Sequence, residues 1–398
     1  MKVLHVIPSV SPSLGGPTHV VLNLVKALIT KGIDAEIVTT NDDRDDVLDV
    51  PTRQRVIHKG VPVWFLPRFS PPLKEFIFSP ALFQWLWKNA PDYDVIHSHY
   101  LFSFAPTCAG ITARQNDVPY IVRPLGQLSP WALKQSQTKK RIYSFLFEEH
   151  NLRSAAAIHC TSTGEVEDVK KIGIQTSTAT IPLGVDVPAV IPDATRQLYQ
   201  VYEIPNGRFT LLFLSRIHYK KRPELLLQVV HQLVYRGKDI HLLLAGTGEK
   251  DYIGKLKDLV SSLNLNGRVT FTGFVQGRDK DLLLQGVNAF VLPSFSENFG
   301  VAVAEALVSG LPVITTPGVQ ISPEIASAKA GLIVEGEEDY LSQAIEKLMS
   351  DPELQKEFSK NGKKLAQQRY SWDVIAEQLI NVYEIVIENH CLPKDIVF

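Results

Sequence analysis

Apolar residues along this chain fall into short runs, separated by stretches in which they recur every three to four positions. Lys2–Ile7, Ala35–Thr39, Val95–His97 and Tyr120–Val122 read as buried strands, and His19–Thr30 has helical periodicity behind a Gly15-Gly16-Pro17 loop. The pattern breaks around Ile181–Asp186. A stretch rich in proline and polar residues runs to Arg208, with a short helix expected at Arg196–Val201. It then restarts: strands at Phe209–Leu214, Ile240–Ala245, Val269–Thr272, Ala289–Leu292, Val313–Thr315 and Gly331–Val334, with helices at Pro223–Tyr235 and Asp251–Leu263. Strands alternating with helices predict parallel sheets covered on both faces, hence an α/β chain of two doubly wound, Rossmann-like domains joined near residues 184–208. The domains are expected at 1–185 and 209–371, followed by an amphipathic helix, Trp372–Glu388, in a C-terminal segment 372–398.

Length agrees, since 398 residues exceed one ordinary core. Hydrophobic content of 45% and charged content of 21% describe a globular protein, and a formal net charge of -1 gives no reason to expect nucleic acid. The three cysteines, Cys108, Cys160 and Cys391, form no C-x-x-C pair and no metal-ligand spacing, as suits a reducing compartment. The first apolar run stops at Pro8 and gives way to a polar loop, as a buried strand does and a signal peptide does not. No stretch approaches the ~18 uninterrupted apolar residues of a membrane span.

The stretch from Ala289 to Thr315 carries the most chemistry. A buried strand leads to a polar loop with Ser294, Ser296, Glu297, Asn298 and Gly300, then to a helix with Val301, Ala304 and Leu307 at packing positions. Gly310-Leu311-Pro312 returns the chain to a strand. A helix N-terminus offers unpaired N–H groups and a positive dipole end, which suits a phosphate. Glu297 stands at that mouth and Glu305 more than one turn inside, two acceptors for hydroxyls of one ligand. A Glu at a helix start is also favoured by the dipole alone, so the frame around the pair matters more than the pair. That frame, Glu297-Asn298-Phe299-Gly300-Val301-Ala302-Val303-Ala304-Glu305 with its flanks, resembles the E-x7-E motif of retaining glycosyltransferase family 4.

The resemblance extends over essentially the whole chain and is strongest in 209–335. It implies the GT-B architecture, two Rossmann-like domains facing across a cleft, with the C-terminal helix crossing back to an acceptor-side N-terminal domain after a bend near Ser371-Trp372. It implies transfer of a hexose from a nucleoside diphosphate sugar to an acceptor hydroxyl with retention. Arg216 and Lys221 follow the strand Phe209–Leu214. By composition Lys220, Lys221 and Arg222 are a solvated charge run; by resemblance Arg216 and Lys221 neutralise the leaving diphosphate. Together with Glu297, which would hold donor-sugar hydroxyls, they form the expected catalytic set. Gly16, Gly246, Phe274, Asn298, Phe299, Gly300, Val301 and Glu305 are the expected donor contacts, with Glu305 on the ribose. Gly246-Thr247-Gly248 equally suits a plain strand–helix turn, and Phe274 equally suits a core position. The base-reading strand does not separate uracil from guanine; a UDP-sugar is expected ahead of a GDP-sugar.

On the acceptor side the candidates are His99, Arg123 and Gln127; His99 also suits a satisfied structural histidine. His97 and His99 form an i, i+2 pair that resembles half a metal site, with no nearby cysteine or carboxylate cluster to complete it, so no metal is expected. The chain departs from the family where a histidine commonly follows the strand Tyr120–Val122: it reads Arg123-Pro124-Leu125-Gly126-Gln127, with Leu125 in that place. Arg123 or Gln127 is the expected substitute, Arg123 reaching donor or acceptor from the strand end; Arg123 equally suits a brace for the following loop. Asp42-Asp43 and Asp45-Asp46 are expected in a surface loop. No cofactor is implied beyond the nucleotide-sugar substrate. The expected acceptor is a sugar or lipid-linked sugar, in glycan, polysaccharide or glycolipid synthesis, and the expected protein is a cytoplasmic monomer or weak dimer. Aromatic and basic residues in Pro71–Lys88 and Trp131–Arg141 suit peripheral contact with the inner face of a membrane, and equally suit core aromatics beside solvated lysines. The alternatives are a nucleotide-sugar epimerase on the same fold or a catalytically silent nucleotide-sugar-binding protein.

Overall fold

The computed structural model describes residues 1–12, 16–44, 46–69, 77–135 and 141–398. Gly15, Asp45, Pro71, Phe76, Lys139 and Lys140, which figure in the sequence expectations, lie outside the described residues. The chain divides into two compact units, Met1–Gly184 with Trp372–Phe398, and Val185–Ser371. The polar stretch 185–208 therefore belongs to the second unit.

The first unit is built on a sheet in the order Ile396–Val397, Thr178–Thr180, Ala157–Cys160, Tyr120–Arg123, Val95–His99, Lys2–Ser9, Asp34–Thr40, Val61–Leu66 and Arg55–His58. All neighbours are parallel except the last pair, an antiparallel hairpin that the alternating pattern did not suggest. Its turn is Lys59-Gly60, both in the left-handed region at φ 50° and 83°. A type I′ two-residue hairpin turn needs that conformation at both positions, and asparagine, aspartate or glycine rather than lysine is the usual first residue. The terminal strand Ile396–Val397 was likewise unforeseen.

The helices Gly16–Thr30 and Trp372–Asn389 cover one face of this sheet. The second buries Ile375, Ala376, Leu379, Val382, Tyr383 and Val386, a single stripe at helical spacing. Each large apolar side chain so buried contributes about 1.5–3 kcal/mol. Lys31 Nζ reaches Glu377 Oε1 at 2.7 Å across these two helices. A Cβ on Gly184 would lie 2.3 Å from the Trp372 ring, so the residue where the chain leaves this unit must be glycine for the residue where it returns to pack. Asp42 is buried and paired with Arg68 at 2.8 Å, in a small hairpin of Asp42–Asp43 with Asp46–Val47. The surface-loop expectation fails for Asp42, because Arg68 brings a counter-charge inside, while Asp46 is exposed.

The second unit holds a wholly parallel sheet in the order Val269–Gly273, Ile240–Ala245, Phe209–Leu214, Ala289–Leu292, Val313–Thr315, Gly331–Ile333. Counted along the chain this is 3-2-1-4-5-6, the doubly wound order, whose direction reverses between the first and fourth strands. Runs such as Leu211–Leu214 and Leu242–Ala245 are buried on both faces, which is why they read as continuous apolar blocks.

Candidate active site

Ligands in doubly wound sheets sit beyond the carboxyl ends of the strands, where the order reverses. Here those ends are Leu214 and Leu292, on adjacent strands. The first delivers Ser215, Arg216 and, after a bend, the short 3-10 turn Tyr219–Lys221; the second delivers Ser294 to Gly300. Phe295 N donates to Lys220 O at 2.9 Å, tying the two loops together.

Arg216 is exposed, whereas Lys221 is buried and ion-paired with Glu297. The solvated-run reading fails for Lys221, and Arg222 beside it is also engaged, stacking on Phe295 at 4.3 Å and donating to Gly336 O. Burial, then Lys220 and Arg216, push the Lys221 ammonium down. The Glu297 carboxylate in contact with it acts the other way, favouring the charged lysine. Glu297 itself is pinned by its backbone: its N–H donates to Gly318 O at 2.8 Å, and its carbonyl accepts from Gln320 N at 3.1 Å. The carboxylate is thus held between the loops that follow the first, fourth and fifth strands.

Three residues on, Gly300 is the N-cap of the helix Val301–Ser309, at φ 83° and with no side-chain cap. The left-handed cap turns the chain sharply after Phe299, which is buried against Tyr370 with ring centroids 5.3 Å apart. First-turn amides without a capping side chain are donors for an anion. Ser294 Oγ is buried beside this loop without a hydrogen-bond partner. Glu305, inside the helix, meets Lys280 Nζ at 2.7 Å, so its carboxylate is oriented but carries a cation of its own. The sequence reading missed Lys280.

Gly246 adopts φ 135°, and a Cβ there would lie 1.9 Å from Ser215 O; one on Gly248 would lie 2.1 Å from Ile217 O. The Gly246-Thr247-Gly248 turn therefore lies directly on the Ser215–Ile217 backbone, with Ile217 N donating to Thr247 O at 2.8 Å. It is the floor under Arg216 as well as a strand–helix turn. Phe274 is 69% exposed at the end of the outermost strand, not a core residue. Gly16 starts the helix Gly16–Thr30 in the first unit with open space around its Cα.

In the first unit the acceptor-side candidates are placed differently from expectation. His99 and Arg123 are fully buried. Strand alternation puts both on the face covered by the helix Trp372–Asn389, so Arg123 does not reach outward from the strand end. Arg123 Nε and Nη1 and His99 Nδ1 have no hydrogen-bond partner. Burial lowers Arg123 to about 10, with Glu165 opposing. Leu125 is half-buried at φ 54°, and Gln127 is half-buried with its Oε1 accepting from Leu101 N.

His99 belongs to a cluster that the sequence did not reveal. His5, from the adjacent strand and in register with His97, completes a trio with His97 and His99 whose ligand atoms lie within 4.8 Å of one another. The third imidazole, not a cysteine or carboxylate, corrects the half-site reading; such nitrogen donors suit a late first-row divalent cation in kind. His159 and Tyr383 join it, and burial pushes all four imidazoles well down, His5 to about 3.

The aromatic stretches resolve similarly. Leu82 and Leu86 are core residues, while Trp87 is exposed. An exposed apolar run lies just past the second stretch, at Ile142, Phe145, Leu146 and Phe147. Among the described residues no helix is long and apolar enough to cross a membrane.

Comparison with known proteins bears on both units. The family model described as Glycosyl transferase 4-like domain matches residues 15–184, and the one described as Glycosyl transferases group 1 matches residues 195–365. An uncharacterized glycosyltransferase of Methanocaldococcus jannaschii is 31% identical over 180 residues, which span 45% of this chain and 45% of that one. A D-inositol 3-phosphate glycosyltransferase of Corynebacterium diphtheriae is 24% identical over 402 residues, covering 96% of this chain and 93% of that one. The solved structure of Anabaena Alr3699/HepE in complex with UDP-glucose superposes with a TM-score of 0.76 at 21% identity, over 96% of this chain and 99% of that one, a likeness of fold. With two doubly wound sheets, the E-x7-E frame at a strand-order reversal and both family models matched, the chain belongs to the family 4 glycosyltransferases of GT-B architecture.

Proposed function

We propose that the enzyme is a retaining glycosyltransferase that moves a hexosyl group from a nucleoside diphosphate sugar to a hydroxyl of a sugar or lipid-linked sugar. The observation that carries this reading is the Lys221–Glu297 pair beside the uncapped start of the helix Val301–Ser309. Cations and helix amides gather where a diphosphate's charge grows, and a carboxylate stands next to them for the sugar's hydroxyls. In this reading the bond from the anomeric carbon to the phosphate oxygen breaks, and the bond to the acceptor oxygen forms on the same face. The acceptor's proton passes to the departing phosphate oxygen, which balances the step without a separate base. Arg216 and Lys221 hold the diphosphate, Glu297 the donor sugar and Glu305, steadied by Lys280, the ribose. Those charges are all protein-borne, so transfer needs no divalent ion.

A UDP-sugar is the favoured donor, in keeping with the UDP-glucose carried by the Anabaena structure. The exposed Ile142, Phe145, Leu146 and Phe147, following Arg141, support a peripheral contact with an anionic membrane surface for a lipid-linked acceptor. The test is a thermal-shift screen of UDP-, GDP- and ADP-sugars, followed by transfer with the best donor and NMR of the product's anomeric configuration. An α-linked product from an α-linked donor, formed equally in EDTA, is expected. An inverted anomer would reject retention, loss of transfer in EDTA restored by manganese would reject the metal-free step, and an epimerised donor without acceptor would favour the epimerase.

A further inference from the structure

The buried histidines of the first unit carry a hydrogen-bond polarity that one fixed end determines. His159 Nε2 lies 2.9 Å from the carbonyl of Ile181, which only accepts, so Nε2 bears the proton and Nδ1 is a lone pair. His97 Nε2 lies 3.4 Å from that Nδ1 and donates to it, which makes His97 Nδ1 an acceptor. The Tyr383 hydroxyl, 2.7 Å away, donates to His97 Nδ1; burial raises the tyrosine's pKa and keeps the hydroxyl protonated. Its proton spent, the Tyr383 oxygen accepts from His5 Nε2 at 3.4 Å. His5 Nδ1 is then a lone pair and accepts from His99 Nε2 at 3.0 Å. The chain ends on His99 Nδ1, a buried acceptor without a partner.

We infer that Tyr383, on the C-terminal helix, is a positioning residue: it joins two histidine pairs into one chain that holds all four imidazoles as Nε2–H tautomers and presents Nδ1 of His99 as an acceptor for a hydroxyl proton. Arg123, in register with His99 on the next strand, brings N–H groups without partners to the same end. An acceptor beside donors suits a hydroxyl, which gives one hydrogen bond and takes another. A metal at His5, His97 and His99 is the weaker account, because it would add two positive charges next to the buried Arg123 guanidinium. The sugar-acceptor role of that hydroxyl rests on the function proposed above; the tautomer pattern does not.

The two are separable in one set of experiments. Long-range proton–nitrogen NMR of the full chain, labelled at histidine nitrogens, should show protonated Nε2 and bare Nδ1 at His5, His97, His99 and His159 near pH 7.5. Tyr383→Phe should leave His159 and His97 unchanged, since the Ile181 carbonyl still orients them. It should release His5 and His99, with His99 Nδ1 gaining a proton in part of the population. A proton on Nδ1 of any of the four in the wild type, unchanged His5 and His99 in the variant, or about one tightly held zinc per chain by mass spectrometry would overturn the inference. In transfer assays Tyr383→Phe should raise the acceptor KM at least fivefold while nucleoside diphosphate affinity, set in the other unit, stays within twofold. The expected spectra without that KM change would keep the chain and reject the acceptor role.

Discussion

Lys221 and Glu297 leave neighbouring strands on opposite sides of the point where the sheet order reverses, and they meet there as an ion pair. Neither side chain is more than about a sixth exposed, at 10% and 16%. A pair so placed is a poor source of stability, because desolvation offsets its attraction. In the proposed function it holds unsatisfied electrostatics in reserve: an arriving diphosphate would take over the lysine, and the carboxylate would turn to the sugar.

Glu297→Ala should therefore remove most transfer while leaving diphosphate affinity intact or slightly tighter, since Lys221 loses its internal competitor. Contacts that strengthen in the transition state are worth about 2–4 kcal/mol, roughly 30- to 1,000-fold in rate. Single-turnover kinetics and calorimetry with the nucleoside diphosphate check the two halves. Wild-type turnover in the variant would remove Glu297 from the sugar site.

Arg216→Ala and Lys221→Ala should weaken nucleoside diphosphate binding far more than nucleoside binding. A charge-assisted hydrogen bond contributes about 1.5–3 kcal/mol. Arg216 is exposed and its loss should leave stability unchanged, whereas Lys221→Ala strands the Glu297 carboxylate and should lower the melting temperature. Calorimetry with UDP against uridine is the comparison. Equal losses on both ligands would place these cations away from the phosphates.

The second unit was legible in the sequence because its strands are buried on both faces and its loops carry their chemistry locally. Ser215–Lys221 and Glu297–Glu305 can be read where they stand. Pairing is another matter: Lys221 and Glu297 are on different strands, and nothing local says those strands are neighbours. The histidine cluster shows the same limit more sharply. His97 and His99 are visible as an i, i+2 pair, but His5 joins them only through strand order, and Tyr383 comes from a helix at the far end of the chain. Burial of Arg123 was hidden for the same reason, since a strand-end position does not disclose which face a C-terminal helix covers. The Lys59-Gly60 hairpin was hidden by chemistry, a lysine at a left-handed position.

Gly246→Ala should destabilise the second unit and weaken donor binding together. The alanine Cβ would meet the Ser215 carbonyl, which is backbone and cannot rotate away, at a φ of 135° that L-residues rarely adopt. A strained backbone position of this kind costs about 1–3 kcal/mol, and the clash adds to it. Chemical denaturation should show a lower midpoint with an unchanged slope, and diphosphate affinity should fall as the Ser215-Arg216 segment shifts. Gly254, in open space on the helix Lys250–Ser262, is the control, and Gly254→Ala should be neutral or stabilising. An equal, small effect at both positions would mean that the turn does not support Arg216.

The first unit should lose stability in mild acid. His5, His97, His99 and His159 are held neutral by burial, and the charged or titratable groups facing them are Arg123, Tyr383, Tyr100 and Glu165. Arg123 adds to the depression, and Glu165 is taken up by the Thr161 and Gly126 amides. In the unfolded chain the same histidines titrate near 6.5. Between that value and their depressed folded values, the unfolded state binds more protons, so stability rises with pH there and falls as pH drops. Each histidine contributes a slope approaching ~1.4 kcal/mol per pH unit. The buried Glu148 carboxyl, pushed up to about 7 by burial, takes up its proton in the folded state over the same range and offsets about one of the four. Denaturation of the full chain followed from pH 7.5 to 5.5, above the main carboxylate range, should show the transition of the first unit moving to lower denaturant by more than that of the second, where burial lowers His241 to about 4. His159→Gln, which keeps a donor for the Ile181 carbonyl, should reduce the net slope by about a third. A first-unit transition that stays level across this range would mean that the imidazoles are already protonated or reach solvent.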